Sequence, residues 1–443
     1  MAAYGAGDFG LNFYWQSVGF FLLFFYTDIL GLSNTVAGAV YAVGGLVDAL
    51  SDPTMGIIAD RARTRKGRYR PYLLYGAIPL GLSFILLFTA PLIVSAPFMI
   101  AVAVISHIFF RICYTAVSIP YGTLGTRITF DAHERTRLAG TRMLFGALGG
   151  VCIMYIVTQL RASFDDSQAI ILTSFIAAIV GSILIFFCYA QSVEKRILSS
   201  SSYTSTSRNY SLRKIIPLIF TNRPFLILVA ATFLLTIANM IIIKTIIYRF
   251  DYILNATQAG GMAIVIMTLI PLFTIPLWVW LYLCLSKRTA FVAGCITVII
   301  GLIALFLTGE TSIIKSIISY GLIAAGFSSF AVGFWSVLPD TIDYGHWKSG
   351  HRIESGLVGL ASALQKIAIA IAGLGVGIAL DIFNYNAGEV QSLNTLNTLH
   401  IFSTILPLIL MLLCAAIFMR YPLSAPEHSR IVKHLKPSTH PHN

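Results

Sequence analysis

The sequence predicts an all-α integral membrane protein, with twelve transmembrane helices in two six-helix bundles. Three observations carry that expectation. Of 443 residues, 57% are hydrophobic and only 11% charged, and the mean hydropathy is +0.82. A water-soluble chain would carry about a quarter of its residues charged. Twelve apolar stretches recur along the chain, each near the roughly 20 residues that cross a hydrocarbon core. The Lys and Arg residues, finally, gather on alternate connections. Secreted, cytosolic and nucleic-acid-binding classes are excluded together.

The first six stretches are 9–29, 35–58, 71–91, 96–122, 138–160 and 167–190. A polar segment around Ser199 to Ser211, with Lys195, Arg196, Arg208, Arg213 and Lys214, precedes six more: 224–248, 258–285, 289–308, 312–338, 354–381 and 399–419. The expected division is a bundle over 1–192, a cytoplasmic linker over 193–223, a second bundle over 224–420 and a cytoplasmic tail over 421–443. With the amino terminus inside, inward connections and tail hold 23 Lys and Arg, and outward ones only Arg161, Arg249 and Lys315. That asymmetry puts both termini in the cytoplasm. The first stretch has no basic leader or small-residue cleavage site before it, so the reading retains it as a helix. Cys113, Cys152, Cys188, Cys284, Cys295 and Cys414 stand singly in apolar runs, as packing residues do. No HExxH, GxSxG or Walker loop occurs, so an enzyme is not expected.

Four bases fall within the stretches: Arg111, Arg142, Lys244 and Lys366. Intramembrane charge is costly and marks function by default, although Lys244, about one turn from an outer end, can snorkel. On helix 2, Asp48, Ser51 and Asp52 share one face by their spacing of three and four. Two carboxylates in low dielectric require a bound cation, a proton or a basic partner. Oxygen ligands suit a hard ion, so Asp48 and Asp52 are candidate Na⁺ ligands. Pro53 leaves a carbonyl one turn back without its donor. The alternative is that both acids pair with bases from other helices. Lys366 is the expected partner, leaving the acids when the cation binds and so coupling ion to substrate.

On helix 4, His107, Arg111, Thr115, Ser118 and Gly122 form one stripe facing a cavity. Thr115 adds a hydroxyl at the cation site, and Ser118 and Gly122 leave room for a ligand. Arg111 cannot shed its proton to ease burial. Arg142 can fork onto substrate hydroxyls or a carboxylate, or pair with Asp48 or Asp52. Tyr4, Tyr14, Trp15, Tyr114, Tyr121, Phe334 and Trp335 fall near these stripes and offer faces for sugar stacking, or simply pack.

Between helices 2 and 3 the chain reads Gly56-Ile-Ile-Ala-Asp60-Arg61-Ala-Arg-Thr-Arg65-Lys66-Gly67-Arg68. This resembles the G-x-x-x-D-R-x-G-R-R loop of the major facilitator superfamily, where an acid such as Asp60 pairs with a nearby base such as Arg61 in one conformation and releases it in another. The corresponding turn of the second half keeps only Ser286-Lys287-Arg288. Tyr4-Gly-Ala-Gly-Asp-Phe-Gly10, Phe25-Tyr-Thr-Asp28, Asp48-Ala-Leu-Ser-Asp-Pro-Thr-Met-Gly56, Lys66-Gly-Arg-Tyr-Arg-Pro71, Ile119-Pro-Tyr-Gly122 and Asp340-Thr-Ile-Asp-Tyr-Gly345 occur in order over nearly the whole chain. Together they resemble the glycoside-pentoside-hexuronide:cation symporter family.

The resemblance implies a major facilitator fold and a secondary transporter that couples Na⁺ or H⁺ entry to uptake of a sugar or glycoside by alternating access. It places the cation at Asp48, Ser51, Asp52 and Thr115 with Lys366 close by, and turns Arg142 and positions 12 and 118 toward the sugar. The family's best-known member has carboxylates where this chain has Asn12 and Ser118, a Trp at Gly122 and an Asn at Ser51. Losing two acids while keeping Arg142 and adding Arg111 shifts the cavity toward positive charge. The alternative is therefore a carrier or exporter of an anionic sugar derivative, namely a hexuronide, sulfonated sugar or sugar acid. Trp335 joins the candidate substrate contacts. No cofactor is expected beyond the coupling ion. The expected partners are the sugar and the lipid bilayer, not nucleic acid, with the monomer as functional unit in the bacterial inner membrane. Family members often carry a short charged leader where this chain begins at Met1-Ala-Ala-Tyr4.

Overall fold

A computed structural model describes residues 1–62, 64–129, 131–192, 219–308, 312–351, 353–383 and 391–435. Most of the expected linker, 193–218, lies outside the described residues. In order, the helices are α1 Ala2–Phe24, α2 Asn34–Arg61, α3 Arg70–Thr89, α4 Ala96–Ile128, α5 Ala132–Ser163, α6 Asp166–Gln191, α7 Arg223–Tyr248, α8 Thr257–Cys284, α9 Lys287–Thr308, α10 Ile313–Ser349, α11 Ser355–Ile382, α12 Leu393–Phe418 and the short α13 Ala425–Leu435. Among the described residues there is no strand, only one isolated bridge between Thr64 and Gly67.

Several helices outrun their apolar stretches. α1 begins at Ala2 rather than 9, α4 reaches Ile128 rather than 122, and α10 reaches Ser349 rather than 338. Hydropathy measures the width of the bilayer, whereas the hydrogen-bond ladder continues until something caps it. At the starts of α5, α6, α7 and α12, Asp131, Asp165, Asn222 and Ser392 supply caps, accepting from the backbone N–H groups of Glu134, Gln168, Phe225 and Thr395 at 2.8, 3.2, 3.2 and 3.1 Å.

The backbone keeps an internal repeat at the ends of two helices. α1 closes with a π-turn over Phe25–Ile29, and α7 with one over Arg249–Ile253. Leu30 N–H bonds to Phe25 O and Leu32 N–H to Tyr26 O, both at 3.0 Å; Leu254 N–H bonds to Arg249 O at 3.0 Å and Ala256 N–H to Phe250 O at 2.7 Å. Between each pair of bonds sits one left-handed residue, Gly31 at φ +67° and Asn255 at φ +49°. Gly and Asn are the residues that enter this region at least cost.

The chain divides into two compact units, but not at the linker alone. The first comprises Met1–Pro217, Gly345–Ala363 and Val432–Asn443; the second comprises Leu218–Tyr344 and Leu364–Ile431. The turn after α10 and the first turns of α11 pack with the first unit. In that unit α1 lies against α5 and α6, α3 against α4 and α6, and α2 against α4; in the second, α12 lies against α7 and α9. Also in the second unit, Lys287 Nζ lies 2.7 Å from Asp340 Oδ2, and buried His428 of α13 places Nε2 3.1 Å from Asp343 Oδ2.

Ten helices, from α3 through α12, are long and apolar enough to span a membrane by length and composition. α1 and α2 are the two long helices outside that set, and they carry Asp8, Asn12, Gln16, Asp48, Ser51 and Asp52. Their hydropathy is spent on polar groups.

Candidate functional site

α2 and α4 approach closely because Gly44 has no side chain: a Cβ there would stand 2.5 Å from the His107 ring and 2.8 Å from Arg111 Nε. At this contact Arg111 Nη1 donates to Asp48 Oδ2 at 2.8 Å, and Arg111 Nε donates to His107 Nε2 at 3.1 Å. His107 Nδ1 lies 3.1 Å from Val40 O. A carbonyl can only accept and Nε2 already receives a proton from Arg111, so His107 is the neutral Nδ1–H tautomer. It fixes the guanidinium rather than carrying protons. The Arg111 guanidinium also lies 5.4 Å from the centre of the Trp15 ring, which stacks on Tyr114 at 5.6 Å.

One turn along α2, Asp52 is fully buried. Thr115 Oγ1 donates to Asp52 Oδ1 and Ser362 Oγ to Asp52 Oδ2, each at 2.8 Å, while Ser51 Oγ donates to Thr115 Oγ1 at 3.2 Å. The structure therefore brings Asp48, Ser51, Asp52 and Thr115 together as spacing predicts, with Ser362 added from α11. It also gives Asp48 an ion-pair partner in Arg111. A guanidinium on the same helix face as Thr115 reaches the neighbouring α2 within one side-chain length.

Arg142 pairs with Asp8 of α1. Its Nε donates to Asp8 Oδ1 at 2.7 Å, and Asn12 Nδ2 donates to Asp8 Oδ2 at 3.1 Å and to the Asp8 carbonyl at 2.9 Å. The guanidinium sits 4.9 Å from the centre of the Tyr121 ring, itself stacked on Tyr4 at 4.6 Å. Tyr121 Oη donates to Tyr4 O at 2.6 Å. Further along α4, Ser118 is half-buried and Gly122 buried.

Asp60 closes α2. Its Oδ1 accepts from Tyr69 Oη at 2.8 Å and Ser355 N–H at 3.0 Å, and its Oδ2 accepts from Gly356 N–H at 2.9 Å. It thus caps the N-terminus of α11, where an anion meets the positive end of the helix. Glu354 accepts from Tyr69 Oη at 2.8 Å and from Arg127 Nε at 2.5 Å. Burial first, and then the Glu354 charge, push the Asp60 carboxyl up to about 6. Arg61 is exposed at the end of the same helix.

An all-helical chain with a charged loop after its second helix and ion pairs buried among helices has the parts of a carrier. Residues 3–425 match the MFS/sugar transport protein family. The chain belongs to that family. It is 28% identical over 407 residues to the isoprimeverose transporter of Lactiplantibacillus pentosus, covering 90% of this chain and 83% of the relative. It is 26% identical over 438 residues to the glucuronide carrier protein homolog of Escherichia coli (strain K12), covering 98% and 94%. The MFS proton:xylose symporter XylE, solved with 6-bromo-6-deoxy-D-glucose, shares the fold with a TM-score of 0.69 over 97% of both chains at 15% identity.

Asp8 and Ser362 belong to the site but not to the residues the sequence singles out. Asp8 precedes the first apolar stretch by one residue. Its spacing of four from Asn12 was the available signal. Ser362 precedes Lys366 by one turn of α11, so the lysine's own face could have pointed to it. Lys366 and Trp335 both belong to the second unit. There Trp335 stands edge-on to Phe334 at 5.0 Å.

Proposed function

We propose that the protein is a cation-coupled symporter that takes up a sugar or glycoside, with Asp52 as the acid that carries the coupling ion, Na⁺ or H⁺. The observation that carries this reading is the convergence of hydroxyls from two other helices on one fully buried carboxylate, Thr115 of α4 and Ser362 of α11, with Ser51 of α2 hydrogen-bonded in turn to Thr115. Asp48 has a cation in Arg111 at 2.8 Å, which supports Asp52 as the acid that exchanges its charge. The same oxygens can ligate a small hard ion or hold a protonated acid.

Binding an ion there draws α2, α4 and α11 onto one centre. By linkage, a sugar that prefers the drawn-in arrangement tightens ion binding by the factor with which the ion tightens its own. Each monovalent ion moving down the membrane potential contributes about 2.3 kcal/mol per 100 mV. Lys366 is proposed as the residue that tunes this centre. Arg142, Asn12, Ser118, Gly122 and Trp335 are proposed to contact substrate, and Asp60 with Arg61 to gate. The proposed setting is the bacterial inner membrane with both termini cytoplasmic, the monomer as working unit and no nucleic-acid partner.

The test is sugar uptake into membrane vesicles under an imposed Na⁺ or H⁺ gradient, comparing wild type with Asp52→Asn. Accumulation driven by one gradient and lost in the variant is the expected result. Undiminished accumulation in the variant removes Asp52 from the coupling role.

A further inference from the structure

Arg249 falls in a connection between apolar stretches, yet the second unit buries it to 1% exposure. A guanidinium cannot shed its proton to ease burial, so it must be met by acceptors. Here they include the end of α9: Arg249 Nη2 donates to Leu305 O at 3.2 Å and lies 3.5 Å from Ser316 Oγ of α10. Arg249 Nη1 lies 2.8 Å from His400 Nδ1 of α12. His400 Nε2 in turn lies 3.2 Å from Phe306 O, and its ring stacks on Phe306 with centres 5.3 Å apart. Leu305 and Phe306 are among the last four residues of α9, where carbonyls lack intrahelical donors and favour a cation. One arginine and one histidine thus join the π-turn after α7 to α9, α10 and α12. Their contacts fix the protons of the imidazole. A guanidinium only donates, so Nδ1 accepts; a carbonyl only accepts, so Nε2 carries the hydrogen. His400 is therefore neutral in this arrangement, and it is half-buried, so part of the ring is accessible at this end of the unit.

We infer that His400 is a proton-operated pin: neutral, it ties the start of α12 to α9 and to the turn after α7, and protonated it lets go, so that acid slows the carrier. The pin goes beyond the symporter reading and stands without it; the slowing rests on that reading. A second proton on His400 has one place to go, Nδ1, where Arg249 Nη1 already points a hydrogen. Protonation therefore replaces a hydrogen bond with two facing donors and two like charges. Arg249 is buried and keeps its proton, so the half-buried His400 is the partner that moves, and its bond to Phe306 O goes with it. Imidazoles ordinarily change charge between about pH 5 and 8. The other charged or titratable side chains on the segments that meet here are Asp251, Tyr248 and Tyr252 beside Arg249, and Lys315 and buried Tyr320 of α10. In the orientation proposed above this end faces outside, so the pin answers to the surrounding medium. Rocking of a bundle as one body needs its helix ends held together, and a released α12 weakens that hold.

The experiment uses the full chain in liposomes and reads amide hydrogen exchange at pH 7.5 and pH 5, corrected for the intrinsic effect of pH on exchange. In wild type, protection over 249–256 and 393–404 is expected to fall at least tenfold at pH 5, with peptides of α3 unchanged. His400→Gln offers an oxygen to Arg249 and an N–H to Phe306 O but does not titrate, so its protection should stay within about threefold. His400→Asn keeps the acceptor toward Arg249 and serves in its place if the glutamine variant does not fold. Asp251→Asn alters the acid of the same turn and should respond as wild type. Full protection in wild type at pH 5 overturns the pin, as does a wild-type response in His400→Gln or its loss in Asp251→Asn. Exchange of labelled D-xylose and methyl β-D-glucoside, with equal pH on both sides, then reads the slowing: at least threefold in wild type and less than half of that in His400→Gln. Equal slowing in both overturns the effect on transport. If neither sugar exchanges at pH 7.5, the carrier reading for these sugars fails instead, and the protection measurement still decides the pin.

Discussion

Arg111 shows how far a single residue can be read from sequence. Its burial was legible, because a guanidinium inside an apolar stretch cannot neutralise itself and must find a partner. Its partner was not, since spacing along one helix says which residues share a face but not which face of another helix meets it. The same limit hid Asp8 from Arg142, even though the hydroxyl-and-acid cluster of α2 was complete in the sequence apart from Ser362. The structure makes a specific stability prediction at this pair. Arg111→Gln leaves Asp48 buried without its guanidinium and should cost about 3–5 kcal/mol, the usual penalty for breaking a buried pair from one side. Arg111→Gln combined with Asp48→Asn removes both charges and should recover most of that loss. Thermal unfolding of the detergent-solubilised variants checks it; a double variant as unstable as the single would mean that Arg111 acts through packing on Trp15 and His107 rather than through Asp48.

At the scale of elements, hydropathy located the helices but not their ends, because the ends are decided by caps and backbone conformation rather than by apolar width. The matching π-turns after α1 and α7 are the clearest case. Phe25-Tyr-Thr-Asp-Ile-Leu-Gly31 and Arg249-Phe-Asp-Tyr-Ile-Leu-Asn255 share little more than Ile-Leu before the left-handed residue, so side-chain identity conceals a repeat that the backbone keeps. A Cβ built at Gly31 meets nothing within 4 Å, so any cost of a side chain there is conformational. Gly31→Ala should therefore lower stability by about 1–2 kcal/mol, the penalty for an L-residue in the left-handed region. Asn255→Gly should change it by only a few tenths, since Asn already tolerates that region. Thermal midpoints of the two variants decide the matter. Equal losses would show that the two turns are not held in the same way.

For the whole molecule, the membrane supplies the remaining logic. α1 and α2 are too polar to qualify as spans by hydropathy, yet they carry the buried pairs and hydroxyls of the candidate site; neighbours α4, α5 and α6 bury those groups, so their insertion relies on the bundle as well as on lipid. Orientation has a separate cause. Basic residues crowd the connection after α2 and the tail, while the alternate connections hold only Arg161, Arg249 and Lys315. Short basic connections stay on the cytoplasmic side, so a reporter active only outside the cytoplasm should be silent when fused at residue 1 or 443 and active when inserted between α5 and α6. The reverse pattern would overturn the orientation. With the predicted pattern, the Asp60 cap on α11 and its Glu354–Arg127 neighbour face the cytoplasm, and the paired π-turns after α1 and α7 face outward. The proposed gate at Asp60 then stands on the inner side, beside Tyr69, which donates to it at 2.8 Å.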